Sequence, residues 1–172
     1  MNIKEIEFFR DKDIIQVCIG HHNVEVTYCH YLFLSSNGMV YWMGIIMGSH
    51  YSSDLFIQIP ITVRPFIKRD LNIKRICTAF SNNWALDDKG NIYAFDEPFS
   101  VRKKKEYTDR CKGKIIDIKC NGCHIYVKTD NDKHYVFEGR DELLNTNKLL
   151  ANKNIKSAEL GLWSTVIVVS DT

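Results

Sequence analysis

One stretch of this chain is written three times. His30-Tyr31-Leu32-Phe33-Leu34-Ser35-Ser36-Asn37-Gly38-Met39-Val40-Tyr41 returns as Asn82-Asn83-Trp84-Ala85-Leu86-Asp87-Asp88-Lys89-Gly90-Asn91-Ile92-Tyr93. A worn third copy runs from His124 through Asp130-Asn131-Asp132-Lys133 to Tyr135. Each copy reads as a strand, a tight polar turn and a second strand. Asn37-Gly38 and Lys89-Gly90 put glycine where a hairpin turn needs positive φ. Val40-Tyr41 and Ile92-Tyr93 carry the β-branched and aromatic residues that strands favour. One hairpin cannot bury its apolar face alone, so a repeated hairpin predicts stacked units that cover one another.

A second element precedes each hairpin. Ile73-x-x-Ile76-x-x-Ala79-x-x-Asn82 leads into the second copy, and Ile115-x-x-Ile118-x-x-Asn121-x-x-His124 into the third. Ile14-x-x-Val17-x-x-Gly20-x-x-Asn23 opens the first, with extra residues around Val24-Glu25-Val26-Thr27 before His30. Ile155-x-x-Ala158-x-x-Gly161-x-x-Ser164 opens a fourth, which continues through Val166-Ile167-Val168-Val169. The starts at Ile14, Ile73, Ile115 and Ile155 lie 59, 42 and 40 residues apart. That period fits a blade of a β-propeller. The expected fold is all-β: a partial or small propeller over residues 1–172, read as one domain. Turns are expected at Ser36-Asn37-Gly38, Asp88-Lys89-Gly90 and Asn131-Asp132. Leu34, Val40, Ile76, Leu86, Ile92, Ile118 and Val168 are expected in the core. The stretch 140–154, with Leu143, Leu144, Leu149 and Leu150, is the least strand-like and is expected to form a short helix. The fourth unit is expected to pair back with the strand from Ile14 to Ile19, or else to leave two open edges that can template a partner.

These anchors resemble the regulator-of-chromosome-condensation repeat, roughly I-x-x-I-x-x-G-x-x-H-x-x-A-L-x-x-D-G-x-V-Y-x-W-G. The first copy keeps His30, Leu34, Gly38, Val40, Tyr41 and Gly44; the second keeps Ile73, Ile76, Ala85, Leu86, Gly90, Ile92 and Tyr93; the third keeps Ile115, Ile118, His124 and Tyr135. The resemblance covers most of residues 14–139 and the half-unit 155–171. It implies a short, divergent propeller with about three and a half repeats and favours protein partners. The glycine-rich segment that usually follows each unit is nearly absent, and the chain has nine glycines in all. No loop of the Ran-exchange kind is recognisable, so that activity is not implied.

The net charge is only +2, yet its distribution is uneven. Arg102, Lys103, Lys104, Lys105, Arg110, Lys112 and Lys114 face only Glu106 and Asp109 in one stretch; Arg64, Lys68, Arg69, Lys74 and Arg75 face only Asp70 in another. Both stretches join one hairpin to the next unit, and in a propeller such connections emerge on the same face. With Tyr107 and Phe66 offering rings for stacking, this is a candidate footprint for a phosphate backbone. The alternative is a solvated pair of loops that keeps the protein soluble.

Motifs of catalysis are not legible. There is no G-x-S-x-G, no phosphate-cradling glycine loop and no H-E-x-x-H. Cys120-Asn121-Gly122-Cys123-His124 spells the c-type haem attachment pattern, but His124 falls on the repeat's own histidine position. A strand start also lacks the helix N-terminus that activates a redox thiol. With Cys111 nearby the set resembles half a zinc site, but a second knuckle is missing. Structural thiols are therefore expected, with no cofactor. His30 and His124 are expected as core histidines bonded to a neighbouring blade, and Trp42, Trp84 and Trp163 as packing.

The first thirteen residues are too charged for a signal peptide, and no apolar run approaches the ~18 residues of a membrane span. Six cysteines then read as thiols in a reducing compartment, which predicts a cytoplasmic protein. Neither membrane nor small-molecule substrate is expected. The expected function is a non-catalytic interaction module docking on a ribonucleoprotein, ribosomal RNA and proteins. It would act as a hibernation-type factor that blocks a functional centre of the ribosome. The alternative is a protein-only adaptor for a GTPase or the ubiquitin system.

Overall fold

A computed structural model describes residues 9–21, 29–44, 64–65, 71–79, 82–97, 100–121, 124–138, 142–143, 154–160 and 165–170. Antiparallel strands dominate it. The first sheet meanders through β1 (Ile14–His21), β2 (Cys29–Ser35), β3 (Val40–Gly44) and β4 (Arg64–Pro65). The second holds β5 (Ile73–Ala79), β6 (Asn82–Asp87), β7 (Ile92–Glu97) and β8 (Ser100–Lys103). The third holds β9 (Ile115–Cys120), β10 (His124–Thr129), β11 (His134–Glu138) and β12 (Glu142–Leu143). A fourth pairs β13 (Asn154–Leu160) with β14 (Thr165–Ser170). One helix, α1 (Lys105–Arg110), joins the second sheet to the third.

The repeat extends to single hydrogen bonds. Ser35, Asp87 and Thr129 occupy one position, and their N–H groups reach Met39, Asn91 and Lys133 carbonyls at 3.0, 3.0 and 2.9 Å. The N–H groups of Ser36, Asp88 and Asp130 bond Asp13, Asn72 and Lys114, each the residue before its sheet's first strand. Gly38 and Gly90 take φ of 79° and 86°; Asp132, their counterpart, takes φ of 57°. All four first strands also slip register after their opening isoleucine, between Ile14 and Gln16, Ile73 and Arg75, Ile115 and Asp117, and Ile155 and Ser157. The skipped residues Ile15, Lys74, Ile116 and Lys156 are bulges, and all four are exposed.

Neighbouring sheets bury alternate faces against each other. Leu32, Leu34, Val40 and Trp42 of the first pack on Ile73, Ile76, Ala85 and Tyr93 of the second. Cys77, Trp84, Leu86, Ile92 and Ala94 of the second pack on Ile115, Ile118, Ile125, Val127 and Phe137 of the third. Tyr126 and Val136 of the third meet Ala158 and Leu160 of the fourth. The sheets are thus consecutive blades, approaching one another chiefly through β1, β5, β9 and β13. The expected core residues Leu34, Val40, Ile76, Leu86, Ile92 and Ile118 are buried; the side chain of Val168 lies outside the described residues.

The short helix expected within 140–154 falls mostly outside the described residues, at 140–141 and 144–153; Glu142 and Leu143 form a two-residue strand, β12, on the free edge of β11. Two expectations need correction. The stretch 102–114, read as an open loop, contains the helix. Among the described residues β14 pairs with β13 alone and β1 with β2 alone; the last unit therefore does not zip onto β1.

Candidate interaction surfaces

Two surfaces stand out once the core is assigned. The first is the end of the blades that carries the hairpin turns and the starts of the first strands. Gly38 and Gly90 show how close the parts come there. A Cβ on Gly38 would sit 2.9 Å from the backbone nitrogen of Ile73, and one on Gly90 3.1 Å from that of Ile115. Each turn is thus wedged against the next blade's entry.

Most of the described basic residues project from this end. Lys103 pairs with Tyr93 near the β6–β7 turn, and the Lys104 N–H bonds the Ile92 carbonyl, which returns the chain to that end. Arg102, Lys103, Lys105, Arg110, Lys112 and Lys114 are exposed there, as are Lys74 and Arg75 at the start of β5. Carboxylates are interleaved with them. Arg75 lies 3.4 Å from Asp117, Lys104 3.4 Å from Glu106, Lys105 4.0 Å from Asp109 and Lys128 2.8 Å from Asp132. Lys104 also sits over the Trp84 ring, 5.9 Å from its centroid. Arg64 is placed on the outer strand β4, opposite Trp42; Phe66, Lys68 and Arg69 lie outside the described residues.

Tyr107 is corrected outright. It is 1% exposed, with its ring edge-on to Trp84 at 5.6 Å and to Phe137 at 4.7 Å. The α1 turn drives it between the second and third blades, where it fills space that the two sheets leave open. A ring so enclosed has no face for a base. Tyr107 and Cys111, four residues apart and both buried in the same cluster, are the helical signal that the run of lysines obscured. Glu106 in the first turn and Arg110 in the last complement the helix dipole.

Most other chemistry-bearing residues are absorbed by packing. His30 is buried, with Nε2 2.7 Å from Thr78 Oγ1 and 2.8 Å from Asn83 Oδ1 on the second blade. Both of these partners are side chains of the neighbouring blade. Gly20 makes room for it: a Cβ there would overlap the imidazole and lie 2.6 Å from Thr78 Oγ1. Asp87 accepts from the N–H groups of Lys89 and Asn91, the Asn91 amide and the Tyr93 hydroxyl. Burial raises the Cys77 thiol well above 9.0, the neighbouring Cys120 adding to it, and pushes Cys18 up to about 11 and Cys111 up to about 12. No cluster of three or more His, Cys, Asp or Glu suited to a metal occurs among the described residues; Cys123 lies outside them. No described helix is long and apolar enough to cross a membrane.

The second surface is apolar, and the sequence reading missed it. Val17 and Ile19 of β1 are 52% and 61% exposed. Their sheet face continues through half-buried Tyr31 to Phe33 and Tyr41, which the Phe9 ring covers at 4.4 and 5.9 Å. Val17 holds the repeat position of Ile76 and Ile118. Those two are buried by the blade before them, and among the described residues nothing precedes the first blade except the turn bearing Phe9.

No family model matches the sequence, and no curated protein matches it. Solved structures do. Human WBSCR16 superposes over 92% of this chain and 46% of its own, with a TM-score of 0.60 and 15% identity. Prp20p from Saccharomyces cerevisiae superposes over 83% of this chain and 40% of its own, with a TM-score of 0.55 and 16% identity. The CRINKLY WD40 ectodomain of the Arabidopsis thaliana receptor kinase ACR4 gives 94%, 67%, 0.50 and 8%. The chain spans less than half the length of WBSCR16 and Prp20p. With the blade repeat, its turns and these superpositions together, the chain has the fold of part of a β-propeller, built on a repeat that resembles the regulator-of-chromosome-condensation one.

Proposed function

We propose that this protein is a non-catalytic module that binds another protein through the turn-bearing end of its blades. The carrying observation is the interleaved charge there: Arg75, Lys104, Lys105 and Lys128 each stand within 4.0 Å of a carboxylate. A surface that alternates sign over short distances matches another protein's mixed surface. A polyanion instead rewards an unbroken positive track. The fold supports the reading, and Prp20p is described by its binding to Gsp1p and histones. His30 serves a blade contact and Asp87 a turn.

The ribonucleoprotein reading, including ribosome hibernation, rests on Arg102, Lys103, Arg110, Lys112 and Lys114, and it loses Tyr107 as a stacking platform. A salt series separates the two. Affinity capture of the full chain from its native cells, with and without ribonuclease, is repeated from about 0.05 to about 0.2 M salt. A stoichiometric protein retained after nuclease and across the series supports the proposal. Loss of the partner with nuclease, or a steep salt slope that flattens in Lys103→Ala/Lys104→Ala/Lys105→Ala, sinks it in favour of RNA.

A further inference from the structure

Val17 of β1 has counterparts in the other blades, and they are covered. Val17 pairs with Phe33 as Ile76 pairs with Ala85, Ile118 with Val127 and Ala158 with Ile167. Ile76, Ile118 and Ala158 are 1%, 3% and 2% exposed, each under the far face of the preceding blade. Val17 carries the same chemistry at 52%, and Ile19, at the position of Thr78, Cys120 and Leu160, widens the apolar area at 61%. What fits them is the surface that fits their counterparts: the far face of a blade.

We infer that this face is covered by the last blade of a second copy of the chain, so that two copies close head to tail into one ring. The register supplies the complementary face. Val166 and Val168 of β14 occupy the positions of Leu32 and Leu34, and of Trp84 and Leu86, which pack against the following blade. The junction between copies therefore continues the one used inside the chain. Size agrees: one copy spans 46% of WBSCR16 and 40% of Prp20p, so two copies approach one propeller. A head-to-tail contact that closes after two copies has twofold symmetry and leaves no face over for further growth.

Sedimentation equilibrium on the full chain tests this. Wild type is expected at twice the chain mass. Val17→Glu/Ile19→Glu alters two exposed side chains, so its circular dichroism and melting midpoint stay with wild type while its mass falls to one chain. Val166→Glu/Val168→Glu, on the opposite face, is likewise expected as a single chain. Mixing the two variants restores a two-chain species through the one junction left intact. A monomeric wild type up to ~100 µM, a concentration at which even weak specific dimers are populated, overturns the proposal. So does a dimer that survives Val17→Glu/Ile19→Glu. Loss of association in that variant but not in a folded Val166→Glu/Val168→Glu would show a β1-to-β1 contact and overturn the head-to-tail arrangement. If the Val166→Glu/Val168→Glu protein does not fold, the mass of Val17→Glu/Ile19→Glu decides alone.

Discussion

The side-chain amide of Gln16 pairs with the backbone of Ile76 on the next blade. Its Oε1 accepts the Ile76 N–H at 3.0 Å, and its Nε2 donates to the Ile76 carbonyl at 2.8 Å. A side chain thus stands in for a strand, because Ile76 lies on the first strand of its sheet and has no ladder partner on that side. The later junctions use the same sites differently. Arg75, at Gln16's position, meets Asp117 at 3.4 Å, and Lys119 donates to the Ala158 carbonyl at 2.7 Å.

Gln16→Ala removes both partners of a partly buried backbone unit. The expected cost is about 1–3 kcal/mol, read by urea denaturation. Cys18, whose thiol donates to the same carbonyl at 3.3 Å, keeps the loss at the lower end. A midpoint equal to wild type would show that water replaces the amide without penalty.

At the positive-φ position two of the turns carry glycine and the third carries Asp132, and substitution there should move them in opposite directions. Gly90→Ala forces a side chain into φ of 86° and against Ile115 and Lys114, so a loss of roughly 1–3 kcal/mol is expected. Asp132→Gly relieves a non-glycine residue at φ 57° but gives up the exposed pair with Lys128. Surface pairs contribute little, so this change is expected to be neutral or slightly stabilising. Equal destabilisation of both variants in thermal melts would contradict the equivalence of the turns.

Stability should decline on the acid side of neutrality because of His134. Burial holds its pKa below 6.5; Asp132 opposes and Lys128 adds to that shift. Tyr126 lies 2.6 Å from its Nδ1, and burial holds the Tyr126 hydroxyl protonated, its pKa pushed up to about 12, so the neutral ring accepts. The unfolded chain takes up the proton first, so the stabilisation is complete above about pH 6.5 and is lost as pH falls through the folded-state value. His134→Asn should flatten the dependence of unfolding free energy on pH below that point. An unchanged slope would assign the acid sensitivity elsewhere.

The thiols should be quiet in the folded protein. With Cys18 near 11, Cys111 near 12 and Cys77 higher than its usual 9.0, the reactive thiolate is scarce at pH 7.4. Iodoacetamide followed by peptide mass spectrometry should find all three unlabelled until denaturant is added. Rapid native labelling of Cys77 would mean that the second and third blades separate readily.

How much of this was legible in the chain follows from the range of each interaction. The hairpins, their turns and the buried positions were readable because strand alternation and turn chemistry are local, and a repeat states each of them several times. Ser35, Asp87 and Thr129 close the same turn bond with three different side chains, an equivalence that the hydrogen bonds show. The entry to each first strand was equally readable from its isoleucine. Burial across blades was not. Val17 and Ile76 are the same kind of residue in the same register, yet one is exposed and the other buried, because burial depends on what stands on the other side of the sheet. Tyr107 looked like a surface ring among lysines, and the gap between two blades made it core. Arg75 of the basic stretch likewise lacked its partner, since Asp117 reaches it only after two sheets have come together. Periodicity determined the units; the contacts between units, set by distances no local pattern encodes, decided which faces remain for a partner.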